Sequence, residues 1–210
     1  VGIEIVDPAE TASLFLSGNA AGVDPGTIQE DVTVEIAGNL GVQSISFVSG
    51  TAMSAIAAAV NTLKDTTGVS ATMVDPLDQT AGLVFNSTSF GSNEFVSVSK
   101  LGAGGGDFNT LDAAGGAAST RDEGLDVTAV VNGALAVGDG QSISLNTPAL
   151  TMELDLTQAF ATAVAGTQSQ FSITGGGAQF QLGPNISATQ SIGVGVQSIA
   201  STRIGGSSIE

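Results

Sequence analysis

Apolar and polar residues alternate over Val32-Thr33-Val34-Glu35-Ile36, the period of a strand with one face buried. Asn39 to Gly41 turns the chain, and Val42 to Val48 supplies a second strand, the hairpin partner of the first. The period then changes. Met53, Ile56, Ala57, Val60 and Leu63 fall on one face of a helix predicted over about Thr51–Lys64. Thr51 or Ser49 is placed to cap its start, Lys64 lies near its end where a cation suits the dipole, and Gly68 permits a left-handed exit. Val69, Ala71 and Met73 begin the next strand. Two more follow at Gly82–Ser87 and Glu94–Ser99, separated by a turn at Gly91–Asn93. Leu101 to Gly124 has weak periodicity and reads as a long loop.

Outside this stretch the pattern is thinner. Asp7-Pro8-Ala9-Glu10 has the form of a helix start, which predicts a short helix to Ser17 inside a connecting leader, residues 1–31. Val127, Ala129 and Val131 alternate up to Asn132-Gly133, a strong hairpin signal. Asp139-Gly140 marks a further turn before Ser142–Leu145. Leu150, Met152, Leu154 and Leu156 then alternate with polar residues, and Gln158 to Val164 reads as a short helix. The expected organisation is a strand-strand-helix-strand domain at 32–124, a β-hairpin block at 125–167 and a return segment at 168–210. The fold class is α+β: antiparallel, strand-rich units with one main helix packed on a sheet.

Composition narrows the chemistry. Of 210 residues, 20 are acidic and 4 basic, for a net charge of −16. That balance argues against nucleic acid and anionic membrane surfaces as partners. The chain has no Cys and no His, which removes disulfides, thiolate nucleophiles, imidazole bases and nearly all zinc chemistry. It has no Trp or Tyr and only nine Phe, so packing rests on small and β-branched side chains. No apolar run is long enough to span a bilayer.

The candidate chemical motifs are weak. Gly102-Ala-Gly-Gly-Gly-Asp107 has a phosphate loop's glycines, but Phe108-Asn109 stands where Lys-Ser/Thr is required, and a calcium nonapeptide would need tandem copies. Asp75 with Asp78, and Asp122-Glu123 with Asp126, are carboxylate clusters that read as solvated loop charge. Weak calcium binding at Asp122–Asp126 stays open as an alternative. A Ser nucleophile would need a base, and Lys64 and Lys100 are the only lysines in the chain. Asn86-Ser-Thr88 and Asn185-Ile-Ser187 are formal glycosylation sequons. The expectation is no enzyme activity, no catalytic, cofactor or metal residues, and no cofactor.

Several of these segments resemble bacterial flagellin when taken together. Thr33-Val-Glu-Ile36, Ile45–Phe47, Ala52–Asn61, Thr67-Gly-Val-Ser-Ala-Thr72, Gly82–Ser87 and Gly91–Val98 resemble the repeat of flagellins and hook-associated proteins. Leu125–Gly133 with Ala136–Gly140 resembles the hairpin block that follows it. Gln179–Gly206 resembles the segment returning from a flagellin's outer domains towards its filament core. The resemblance implies a structural, extracellular role as the surface-exposed outer domain of a flagellar filament subunit serving motility. It implies other flagellin subunits as partners, through long coiled-coil helices that this stretch does not contain, so these residues alone are expected to be monomeric. The alternatives are a hook-associated or filament-capping protein domain and, from another class, a Ca²⁺- or carbohydrate-binding adhesin domain.

Overall fold

A computed structural model of the chain describes residues 1–19, 23–147 and 150–172, together with the backbone of 178–181 and 191–194. In chain order it contains β1 (Gly2–Asp7), β2 (Ser13–Leu16), β3 (Val32–Gly38), β4 (Gly41–Phe47), α1 (Met53–Thr62), α2 (Lys64–Thr67), β5 (Val69–Met73), a 3-10 turn (Gln79–Ala81), β6 (Leu83–Ser87) and β7 (Phe95–Leu101). There follow β8 (Thr110–Leu111), β9 (Arg121–Glu123), β10 (Thr128–Val131), β11 (Ala134–Asp139), β12 (Ser142–Thr147), β13 (Leu150–Asp155), α3 (Gln158–Ala161), β14 (Gln168–Gln170), β15 (Ala178–Gln181) and β16 (Ser191–Val194).

Two hydrophobic cores divide these elements. The first is enclosed by two four-stranded antiparallel sheets, β5-β6-β2-β8 and β4-β3-β7-β9. Val32, Val34 and Ile36 point into it from β3, and the period-two pattern that predicts the strand gives its buried face. Met53, Ile56, Ala57 and Val60 point into it from α1, as the helical spacing predicts. Phe85, Leu14 and Leu16 fill its centre. The second core lies under a six-stranded antiparallel sheet, β13-β12-β11-β10-β1-β14, where Ile3, Ile5, Val127, Ala129, Val131 and Ile143 are buried with Ala161 of α3. The turn at Asn132-Gly133 has both residues at positive φ, 49° and 86°, and joins β10 to β11 as the hairpin signal predicts.

The main helix begins later than expected and lacks the predicted cap. Its N-cap is Ala52, with no side-chain hydrogen bond, and the Thr51 hydroxyl instead donates to Val48 O at 2.6 Å. The helix start is satisfied by backbone from another segment: Met53 N donates to Gly26 O at 3.0 Å, while Ile28 N donates to Thr51 O at 3.0 Å. Gly68 takes the left-handed exit at φ 76°.

The helix predicted from Asp7 to Ser17 is not formed. That stretch holds the end of β1 and the whole of β2, so residues 1–31 are more than a leader, supplying one strand to each core. The Asp-Pro-Ala-Glu start is a local preference worth about 1 kcal/mol. It is outweighed by burial: Leu14, Phe15 and Leu16 are consecutive buried residues on a strand paired on both sides, by β6 and by β8. The long loop at 101–124 contributes the end of β7, the short strands β8 and β9 and a bridge between Leu111 and Ala118. The return segment, apart from β14 and the β15–β16 backbone hairpin, lies outside the described residues, as does the sequon at Asn185.

Candidate functional site: the joint between the two units

β1 pairs with β10 on one side and β14 on the other, so the whole first unit is inserted into the second between β1 and β10. Two chain segments cross the neck and bond to each other reciprocally. Glu10 N donates to Leu125 O at 2.9 Å, and Leu125 N donates to Glu10 O at 3.0 Å. Two antiparallel segments held by one bridge would leave the units free to swing.

A third segment stops that motion. The loop after β6 reaches back across the neck and seats Phe90 against the second core. Beside it Asp126 acts as the latch: its Oδ1 accepts from Ser92 N at 2.9 Å and from Gly140 N at 2.7 Å, and its Oδ2 accepts from the Ser92 hydroxyl at 2.6 Å. Gly140 sits in the β11–β12 turn of the second unit, and Ser92 belongs to the first, so one carboxylate bonds both. Asn93 Nδ2 adds a longer bond to Asp139 Oδ1 at 3.3 Å. Burial pushes the Asp126 carboxyl up, but the donors of Ser92 and Gly140 outweigh it and hold the group below its ordinary value.

The loop can approach this closely because glycines meet there. A Cβ on Gly91, whose φ is +114°, would lie 2.6 Å from Gly140 Cα and 2.7 Å from Asp126 Oδ1. Both distances are far inside contact, so a side chain at 91 would push the loop off the turn. A Cβ on Gly140 would meet Phe90 O at 2.8 Å from the other side.

The candidate chemical residues are used structurally. Asp122 Oδ2 accepts from Ser13 N at 2.7 Å, and Glu123 pairs with Arg121 at 3.0 Å on the surface. The three carboxylates at 122–126 therefore do not converge on one point. Asp75 Oδ1 accepts from Leu77 N and Asp78 Oδ1 from Thr80 N, each at 2.8 Å, which are turn-closing bonds. The Thr80 hydroxyl and amide hold the Asp78 carboxyl below its ordinary value. Asp107 Oδ2 accepts from Gln29 N at 2.8 Å, Glu30 Oε2 accepts from Gly106 N at 2.9 Å, and Lys100 Nζ donates to Asn109 Oδ1 at 3.0 Å. The glycine loop at 102–107 is thus fastened to the start of β3, and its amides are not arrayed around an open anion site. Lys64 lies on α2 and Lys100 on β7, and among the described residues neither ammonium is bonded to a serine hydroxyl. Asn86 is half-buried within β6 and paired on both sides. Among the described residues no group of three or more acidic side chains is disposed to hold a metal ion. No helix among them is long and apolar enough to cross a membrane. The role of Asp126 as a latch carries no signal in the sequence, where it is one acid among neighbours.

Comparison with known proteins follows the same division. Residues 33–89, which make up most of the first unit from β3 through β6, match the family model described as the flagellin hook IN motif. No curated protein matches the chain. In fold it is similar to FliD (HAP2) from Pseudomonas aeruginosa PAO1, with a TM-score of 0.53 at 20% identity over 83% of this chain and 80% of that one. It is also similar to the flagellar cap protein FliD from Bdellovibrio bacteriovorus, with a TM-score of 0.50 at 15% identity over 80% and 88% of the two chains. The third likeness is to the D1-D2-D3 domains of FliD from Escherichia coli, with a TM-score of 0.50 at 18% identity over 81% of this chain. The present chain spans about half, 48%, of that last structure. The inserted unit therefore carries a flagellin-type IN motif, within a body that shares its fold with flagellar cap proteins.

Proposed function

We propose that this chain forms the surface-exposed outer domains of a flagellin, a structural subunit of the extracellular flagellar filament. The observation that carries the reading is the IN motif at residues 33–89, whose hairpins β3–β4 and β5–β6 and helix α1 pack into the first core together with β2 and β7. Two further features support it. β1 and β14 are paired, and Val1 N donates to Phe171 O at 3.0 Å, so the chain enters and leaves the described body side by side. A domain hung outward from a filament core needs that arrangement. The sequence Gln179–Gly206 resembles a flagellin return segment, and most of it lies outside the described residues. Such a domain works by shape, solubility and a rigid joint, and its partners are other subunits of the same filament.

A second reading, a filament-capping protein, is favoured by the likeness in fold to FliD structures. Immunogold labelling of native flagella with an antibody raised against this chain separates the two. Label along the whole filament is the expected result. Label confined to the tip would replace the flagellin reading by the capping one, and label absent from the flagellum would overturn both.

A further inference from the structure

Three of the chain's five prolines follow an aspartate, at Asp7-Pro8, Asp24-Pro25 and Asp75-Pro76. An aspartyl–prolyl bond is open to attack by its own side chain. The carboxylate reaches the carbonyl carbon through a five-membered ring, and the proline nitrogen leaves as a secondary amine, more basic than the primary amine another residue supplies.

The fold treats the three bonds differently. Asp24 to Thr27 is a tight turn with Pro25 and Gly26 at its centre, Gly26 standing at φ 79°, and Thr27 N donates to Asp24 O at 3.2 Å. Two further donors meet the same oxygen, the Thr27 hydroxyl at 2.7 Å and Gln29 Nε2 at 3.2 Å. Gln29 is itself fixed across the turn. Its Oε1 accepts from Val23 N at 3.2 Å, and its Nε2 also donates to Thr27 Oγ1 at 3.1 Å, polarising the hydroxyl that serves Asp24. Beyond the bond, Gly26 N donates to Gly18 O at 2.9 Å and Gly26 O accepts from Met53 N at 3.0 Å. The carbonyl of the Asp24–Pro25 bond therefore stands among three donors on a fixed frame, an arrangement that steadies negative charge on an attacked carbonyl. Asp24 and Pro25 are exposed, which admits the water and the proton that cleavage needs.

The nucleophile is free as well. Among the described residues the Asp24 carboxylate accepts no hydrogen bond and pairs with no cation. At Asp75, by contrast, Leu77 N holds the carboxylate at 2.8 Å, and among the described residues the carbonyl has one donor, Asp78 N at 3.2 Å. Asp7 ends β1, in register with Thr128. The other acids around the turn are engaged: Glu30 with Gly106 N, Asp31 with Ser49 N, Asp107 with Gln29 N, and Asp78, beside the Gln79 that packs on Gly26, with Thr80 N.

We propose that the Asp24–Pro25 bond cleaves itself in mildly acidic solution. The Asp24 carboxylate oxygen adds to the carbonyl carbon of Asp24, the bond from that carbon to Pro25 N breaks, and Pro25 N takes a proton from solvent. The products are a cyclic anhydride at Asp24 and a new proline amino terminus, and one water opens the anhydride to two carboxyl groups. Acid drives the step because the nitrogen must be protonated as it leaves. Residues 1–24 are held in place afterwards, since β1 is paired by β10 and β14, and β2 by β6 and β8. The product is a nicked, two-chain form of the same fold. The inference does not depend on the flagellin reading.

The test takes the whole chain at the lowest pH at which circular dichroism still reports the folded state, and the same chain in concentrated urea at that pH. Denaturing electrophoresis and intact mass read the fragments. In the folded chain, cleavage after Asp24 is expected to run about tenfold faster than after Asp7 or Asp75, less than the roughly hundredfold or more that one such donor gives in a closed active site. In urea that lead is expected to vanish. The rate is expected not to change with protein concentration, as a reaction within one chain requires. Thr27→Val removes the hydroxyl, keeps the residue's shape and is expected to lose most of the lead, while Asp24→Ala is expected to abolish cleavage at that bond. Equal rates at the three bonds of the folded chain, an unaltered rate in Thr27→Val, or cleavage surviving Asp24→Ala overturns the proposal. So does a folded chain that stays whole for as long as the urea-unfolded chain takes to cleave.

Discussion

Asp126 and Gly91 bear more on the joint than their neighbours in the sequence suggest. Three hydrogen bonds converge on the Asp126 carboxylate from two units. Asp126→Ala leaves those donors without their acceptor and is expected to cost about 2 kcal/mol, read as a shift in denaturant midpoint. Because the folded carboxyl is held below its ordinary value, its contribution is complete above about pH 4 and is lost as pH falls through the folded value. The gap in stability between the unaltered chain and Asp126→Ala is therefore expected to be full at pH 7 and to shrink as the pH falls through the folded value. An unchanged gap at the low end would show that the latch does not depend on ionisation. Gly91→Ala adds a Cβ at positive φ against backbone and is expected to cost about 3 kcal/mol by the same measurement. Neither effect is visible in the sequence. The turn at Gly91–Asn93 is predictable from composition, but the glycine it must meet lies in another unit.

Among the elements, β3, α1, β5 and β10 were legible because each buries one face, and one-sided burial leaves a periodic trace. β2 has no such trace. It is paired on both sides and buried on both faces, so Leu14-Phe15-Leu16 is a continuous apolar run that a nearby helix-start motif can claim. β1 had a readable signal in Ile3-Glu4-Ile5, and the pull of the Asp-Pro pair obscured it. Asn61 makes the reverse point. On the exposed side of α1 it looks like an ordinary polar residue, yet its amide completes the ladder at Ala71. Asn61→Ala is expected to cost about 1–2 kcal/mol, read as a change in denaturant midpoint, because the Ala71 N–H and C=O lose their partners. It is also expected to bare the β5 edge, detectable as new concentration-dependent association in light scattering.

For the whole molecule the consequence of the joint is mechanical coupling. With Phe90 seated against the second core and Asp126 bonding both units, the two cores are expected to unfold as one cooperative transition. The double substitution Phe90→Ala with Asp126→Ala is expected to split that into two transitions in calorimetry, with each core retaining its own sheet. A single transition in the double variant would mean that the reciprocal Glu10–Leu125 bridge is coupling enough.

The sequence alone determined which stretches form half-buried strands and the main helix, and which catalytic chemistry the inventory of residues disfavours, since these follow from local periodicity and composition. It also held the IN motif, whose order of elements is local to 33–89. Only the tertiary structure decided that the first thirty residues thread both cores, that one unit is inserted in the other, and that Asp126 latches them. Those features depend on contacts between segments that are not neighbours in the chain, from Asp126 with Ser92 to Ile3 with Val131 and Ser13 with Asp122. Such contacts leave no periodic mark at either end.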